Sequence, residues 1–241
     1  MRPVRRTGGL PGEGGMNGAA GFERFQPVER RITIGGHAWS IWRPPDIEAL
    51  IDLTAFAADE RIPYWADVWE SAIVLAEDLA ALPAAGRSLL ELGCGLGLPA
   101  LVAMRAGFRV VASDYEEAAL EGVRYNAARN GLPPPATRLI DWRDPPPDVP
   151  PHDLVVAADV LYERHHPEAL ATTLARLLAA DGLGLVADPG RARAEGFPAA
   201  AAAAGLVATP TGARRPAGEA AGPAVEVWRV RRPVSPPALR R

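Results

Sequence analysis

Leu89-Leu90-Glu91-Leu92-Gly93-Cys94-Gly95-Leu96-Gly97 is a short apolar run that turns through three alternate glycines into an apolar stretch, a helix predicted over 97–106. Glycine tolerates positive φ and lets a ligand approach the backbone, and the helix N-terminus beyond it carries N–H groups without intrahelical partners. A ligand bearing a carboxylate fits such a turn. The same pattern is shared with dinucleotide-binding folds, and a plain tight turn also produces it. Gly95-x-Gly97-x-x-Ala100 matches the dinucleotide fingerprint formally. Its first glycine lies late after the strand, however, and counting from Gly93 puts Leu98 where the third small residue belongs. A nicotinamide cofactor is disfavoured on that spacing and not excluded.

Outward from this turn, short apolar runs alternate with helix-like stretches, the mark of βα units and a parallel sheet. Strands are predicted near 87–92, 108–113, 136–140, 153–158 and 183–187, and helices near 97–106, 116–130, 164–180 and 192–204. Two more strand-like runs, about 206–210 and 224–230, can complete the sheet as an antiparallel edge pair. The expected fold is α/β: a Rossmann-like, open, mostly parallel seven-stranded sheet with helices on both faces. Upstream, Ile32, Ile34, Trp39 and Ile41 flank Gly35-Gly36 as in a short hairpin, and helices are expected over 46–58 and about 69–82. The expected organisation is a disordered tail over 1–21, a hairpin and helix extension over 22–62, a catalytic domain over 63–232 and a flexible tail over 233–241. Met16 competes with Met1 as the start.

Acidic residues recur where predicted strands end. Glu91 sits beside the glycine turn, where a plain structural strand would rarely bury a carboxylate. Asp114 closes the second strand, where it can accept both hydrogen bonds of a ribose diol. Asp141-Trp142 follows the third strand and can read a base by hydrogen bonding and stacking, or simply cap a corner. Asp159-Val160-Leu161-Tyr162 follows the fourth, which a helix cap followed by a packed ring would also produce. Trp65 and Trp69 at i, i+4 read equally well as core packing. These strand ends together place a site on the carboxyl edge of an open sheet.

Composition narrows the classes. The 241 residues suit one large α/β domain; at 23% charged and net charge −3 they offer no general attraction to nucleic acid or to an anionic membrane. Every one of the 26 basic residues is arginine. Cys94 is the only cysteine, which excludes an internal disulfide and a cysteine-based zinc site and suggests a reducing, cytoplasmic compartment. The four histidines lack metal-ligand spacing; His165-His166 is expected to begin an exposed helix, and no metal site is expected.

With Glu91-x-Gly93-x-Gly95-x-Gly97, Asp114, Asp141-Trp142 and Asp159-x-x-Tyr162 in order, the chain resembles the class I, seven-β-strand S-adenosylmethionine-dependent methyltransferases over about 62–190. Pro63-Tyr64-Trp65-Ala66-Asp67-Val68-Trp69-Glu70-Ser71 and the acid-x-x-Tyr motif look more narrowly like the protein-lysine methyltransferases that include the electron-transfer-flavoprotein β-subunit lysine methyltransferases. Asp188-Pro189-Gly190-Arg191 fits the same branch, whereas Glu70 stands where many of its members have proline. The resemblance implies S-adenosyl-L-methionine as cofactor, held by Trp69, Glu91, Gly93, Cys94, Gly95, Gly97, Asp114, Asp141, Trp142 and Ala158. It implies that Asp159 and Tyr162 face the acceptor, a lysine of a protein substrate, with electron transfer flavoprotein β subunit as one candidate partner. The alternatives are a methyltransferase of a small molecule or a ribosomal protein, and a non-catalytic cofactor-binding interaction module.

Overall fold

A computed structural model describes residues 21–51 and 62–233 of the chain. All but the last residue of the tail expected over 1–21, most of the helix expected over 46–58 and nearly all of the C-terminal tail lie outside these residues.

The hairpin forms as its pattern dictates. Strands β1 (Val28–Ile34) and β2 (His37–Arg43) pair antiparallel with Ile34 opposite His37. Gly35 and Gly36 both take positive φ, +57° and +79°, the two-residue turn whose twist matches the strands it joins. Asp46 caps the next segment by accepting the Glu48 N–H at 2.9 Å, but only a single 3-10 turn, Glu48–Leu50, is seen before the described residues break off.

Helix α1 (Glu70–Ala81) ends where Pro83 forces Leu82 into extended backbone. The main sheet then runs β3 (Ser88–Leu92), α2 (Leu98–Ala106), β4 (Arg109–Asp114), α3 (Glu117–Arg129), β5 (Ala136–Leu139), β6 (His152–Ala158), α4 (His166–Leu177), β7 (Leu178–Asp188), α5 (Phe197–Ala203), β8 (Val207–Pro210) and β9 (Glu226–Arg231). Its strand order is β5-β4-β3-β6-β7-β9-β8. The first five of these are mutually parallel, and β9 runs antiparallel to both β7 and β8. The last strand thus inserts between β7 and β8, so that β8 forms the edge opposite β5.

Two helices are shorter than their apolar periodicity predicts. Leu178 leaves helix α4 to pair with His152, so β7 starts where a helix to residue 180 was expected. The helix expected over 192–204 begins only at Phe197, with Pro198 in its first turn and a 3-10 turn before it.

Alternation along the strands fills two cores, as a sheet buried on both faces requires. Leu89, Leu154, Val156, Leu183 and Leu185 face one side with α1, α2 and the hairpin. Leu90, Leu92, Val155, Ala157 and Val186 face the other, under α4 and α5. Each fully buried leucine contributes about 1.5–3 kcal/mol, so the two layers hold the strand ends rigidly.

The hairpin docks on helix α3 through two asparagines one helical turn apart. Asn126 Oδ1 accepts the Trp42 N–H (2.7 Å) and its Nδ2 donates to Trp42 O (3.1 Å); Asn130 does the same with Ser40 (2.9 and 2.8 Å). Residues 40 and 42 share one edge of β2, so the side-chain amides stand in for a neighbouring strand. Asn126 Nδ2 also reaches Leu96 O at 3.2 Å, inside the glycine turn. From the other side, Arg30 Nη1 donates to Val68 O at 2.6 Å and lies 3.6 Å from Asp67, fixing the aromatic segment that precedes α1.

Candidate active site

Beyond β3 the chain reverses its order across the sheet, with β4 on one side and β6 on the other. An open α/β sheet places its ligand crevice at such a switch point. A cleft of about 700 Å³, part of it open to solvent, lies there. Of the residues expected to form the site, Trp69, Glu91, Gly93, Cys94, Gly95, Gly97, Asp114, Trp142, Ala158, Asp159 and Tyr162 line it.

Asp141 does not line it. Its carboxylate turns to Arg143, with Nε and Nη2 at 2.8 and 2.7 Å from the two oxygens. Trp142, its neighbour, is buried against His166 at a ring separation of 5.0 Å and reaches the cleft beside Gly93.

The glycine turn needs glycine for its own sake. Gly93, Gly95 and Gly97 have φ of +65°, +50° and +82°, where a side chain is strained. A Cβ on Gly97 would stand 2.8 Å from Val123 Cγ2, and one on Gly95 would stand 3.2 Å from Trp65 O. Several N–H groups of the turn are engaged inside the protein: Cys94 N–H donates to Ser113 O, Gly95 N–H to Asp114 Oδ2 and Gly97 N–H to Cys94 O. The backbone N–H of Ala100, in the first turn of α2, meets the protein's own Glu91. Thus part of the donor set expected to await a ligand carboxylate is already used.

Glu91 is 2% exposed with Oε2 unpartnered among the described residues, and burial pushes its pKa well above the carboxylate range. Asp114, also buried, accepts from Gly95 and, at 3.1 Å, from Glu116 N–H. Burial outweighs these donors and raises its pKa from 3.8 to about 6. Burial likewise raises the Cys94 thiol, which leaves it a poor nucleophile.

On the acceptor side Asp159 adopts φ +59°, rare for a residue with a side chain, and its N–H donates to Ala187 O at 2.9 Å. Its carboxylate, 6% exposed, receives Arg191 Nε at 2.5 Å. Asp188 builds that contact: Oδ1 accepts the N–H groups of Gly190 (2.8 Å) and Arg191 (2.7 Å), curling the chain back toward Asp159. Tyr162 packs on Tyr64 at 5.2 Å, and Tyr64 on Trp69 at 6.1 Å, giving a continuous aromatic wall. Trp69 Nε1 donates to Tyr64 O at 2.9 Å and braces it.

Sequence reasoning left Tyr115 and Glu116 out of the site, although both line the cleft. Their only signal was position, directly after Asp114. It also missed Arg191 as the partner of Asp159, 32 residues away. The residues at hand suit a cationic ligand that carries a diol: buried acids stand at the ends of β3 and β4, with one buried oxygen unpartnered, and aromatic faces surround them.

Solved structures with this architecture include the 16S rRNA N2 G1207 methyltransferase RsmC of T. thermophilus (TM-score 0.61, 16% identity, 86% of this chain and 51% of that one). Another is the ribosomal protein L11 methylase of Lactobacillus delbrueckii subsp. bulgaricus (TM-score 0.52, 22% identity, 67% and 77%). At these identities the likeness shows the fold alone. Among sequence relatives, the electron transfer flavoprotein β subunit lysine methyltransferase of Xenopus laevis is 32% identical over 143 residues, 56% of this chain and 56% of that protein. The histone-arginine methyltransferase METTL23 of Mus musculus is 31% identical over 123 residues, 47% and 48%. The chain spans about half the length of the curated relatives it matches. The family model for lysine methyltransferases matches residues 58–196, from the aromatic segment through the glycine turn to the Asp188–Arg191 curl, and the chain belongs to that family.

Proposed function

We propose that this chain transfers a methyl group from S-adenosylmethionine to the side-chain amine of a lysine in a protein substrate. The observation that carries the reading is the pairing of two acids across one cleft: Asp114 beside the glycine turn, and Asp159 at the mouth among Tyr64, Tyr162 and Trp69.

When bound, the cofactor supplies an activated methyl on a sulfonium, so the protein's task is alignment. Asp114 would accept the ribose hydroxyls, Trp142 and Tyr115 would flank the base, and Glu91 would answer the ammonium end. A free lysine, with pKa near ~10.4, must shed a proton before its lone pair is available. The aromatic wall favours the neutral amine by excluding water, and Asp159 would hold its remaining hydrogens in the attacking orientation. The Asp159 carboxylate is charge-balanced by Arg191 until a substrate amine competes for it.

One observation favours a second acceptor. Asp159 already receives a guanidinium Nε–H, which is the contact an arginine substrate would make. Incubating the purified chain and labelled cofactor with extract from a strain lacking the gene, then mapping the label by mass spectrometry, separates the readings. Label on lysine supports the proposal, label on arginine supports the second reading, and label on a small molecule overturns both. Electron transfer flavoprotein β subunit is the first purified protein to try.

A further inference from the structure

The segment that carries Tyr162 into helix α4 brings together Glu163, His165 and His166. Glu163 Oε2 lies 3.4 Å from His166 Nε2 and 3.5 Å from His165 Nε2, and all three ligand atoms fall within 4.8 Å of one another. Bonds of about 2.0–2.2 Å to one tetrahedral ion leave neighbouring ligand atoms at separations of this size. The three atoms already surround a point that an ion can occupy.

His166 supplies the decisive detail. Its ring is 1% exposed, and Nδ1 stands 2.7 Å from Val160 O, a contact that requires the proton on Nδ1. The Glu163 N–H, 3.3 Å from the same nitrogen, is the weaker neighbour. Nε2 therefore holds a lone pair, and it is buried with no hydrogen-bond partner among the described residues. A histidine that donates one ring nitrogen to a backbone carbonyl and aims the other, unprotonated, at a carboxylate and a second imidazole has the outer-sphere arrangement of a metal ligand. The ring is also held edge-on against Trp142 at 5.0 Å and Tyr162 at 4.7 Å, which fixes its direction. The nearby Arg143 guanidinium is neutralised by its two-pronged pairing with Asp141.

We propose that Glu163, His165 and His166 bind one divalent transition-metal ion. Two imidazoles and one carboxylate select zinc or its neighbours over magnesium or calcium. Glu163 and His165 are exposed, so water completes the coordination shell. None of the three residues lines the cleft, so the site is structural with respect to methyl transfer: it ties the segment bearing Tyr162 to the start of α4 and to Trp142 behind it. This departs from the expectation that His165-His166 begins an exposed helix. Glu-x-His-His has no familiar ligand spacing, and the carbonyl that selects the His166 tautomer becomes visible only once the segment folds.

The test uses the untagged full chain, stripped with EDTA and freed of chelator, titrated with zinc chloride by calorimetry and with cobalt chloride by visible absorption. The expected result is one ion per chain, a raised melting temperature with zinc, and a cobalt spectrum of tetrahedral intensity. Glu163→Gln and His165→Ala, both at exposed positions, should each weaken zinc binding about tenfold or more while leaving the metal-free melting temperature and circular dichroism unchanged. His166→Gln should abolish the cobalt bands. Zinc binding by the Glu163→Gln/His165→Ala double variant equal to that of the parent chain, or no cobalt bands in the parent, overturns the proposal.

Discussion

If Asp114 anchors the cofactor, binding should weaken in acid through this one carboxyl. Its pKa in the free protein is about 6, raised by burial. The ionised carboxylate can accept ribose hydroxyls through the lone pairs that the Gly95 and Glu116 N–H groups leave free, whereas the protonated form gives up an acceptor. Binding therefore favours the ionised form: affinity approaches its full value well above pH 6 and falls as pH drops through and below 6. With that pKa the ionised fraction changes about tenfold between pH 7 and pH 5, so Kd should rise about tenfold, or ~1.4 kcal/mol. Isothermal calorimetry with S-adenosylmethionine across this range measures it directly. Asp114→Asn should bind more weakly at pH 7, by about 1.5–3 kcal/mol, and show no such slope. Asp188, whose pKa burial also raises to about 6, serves as the control, and Asp188→Asn should keep the slope. A Kd that is constant from pH 7 to pH 5 in the parent chain, or a slope that survives in Asp114→Asn, refutes the assignment.

Three further perturbations probe the rest of the molecule. Gly97→Ala combines a left-handed backbone with overlap on Val123 and should destabilise by about 2–5 kcal/mol in urea unfolding; adding Val123→Ala should recover at least about 1 kcal/mol of coupling, and strict additivity would count against the packing argument. Asp159→Asn should cut single-turnover methylation by ~10²-fold or more with cofactor affinity nearly unchanged, and Tyr162→Phe should harm less than Tyr162→Ala; full activity in Asp159→Asn removes its amine-orienting role. Asn126→Leu should lower stability by about 2–4 kcal/mol, because it strips partners from both Trp42 and Leu96, and a melting temperature equal to that of the parent would contradict this.

The strands and the glycine turn were legible because local chemistry fixes them. A Gly-Gly pair between alternating apolar residues admits few structures other than a hairpin, and a strand ending in an acid at a glycine turn repeats a simple spacing. What escaped were choices settled by distant partners. Leu177-Leu178-Ala179-Ala180 continues a helical pattern, yet pairing with His152 draws residue 178 into β7. Asp141 reads as a ligand for a base until Arg143, two residues on, occupies it. His166 reads as exposed by its neighbours, but Trp142 and Tyr162 close over its ring. The N–H groups of the glycine turn looked free because nothing local reveals that Asp114 and Ser113 accept from them.

The asparagine pair on α3 bears on how the protein is cut. A two-stranded hairpin is too small to persist by itself. Without it, two asparagine amides, one of them fully buried in the intact chain, would each lose a backbone donor and a backbone acceptor and keep only Leu96 O and Asn126 O as acceptors. The hairpin and the sheet therefore complete one another, and a truncation that begins near residue 62 removes a wall of the protein's own core rather than an appendage. A single melting transition shared by both parts follows.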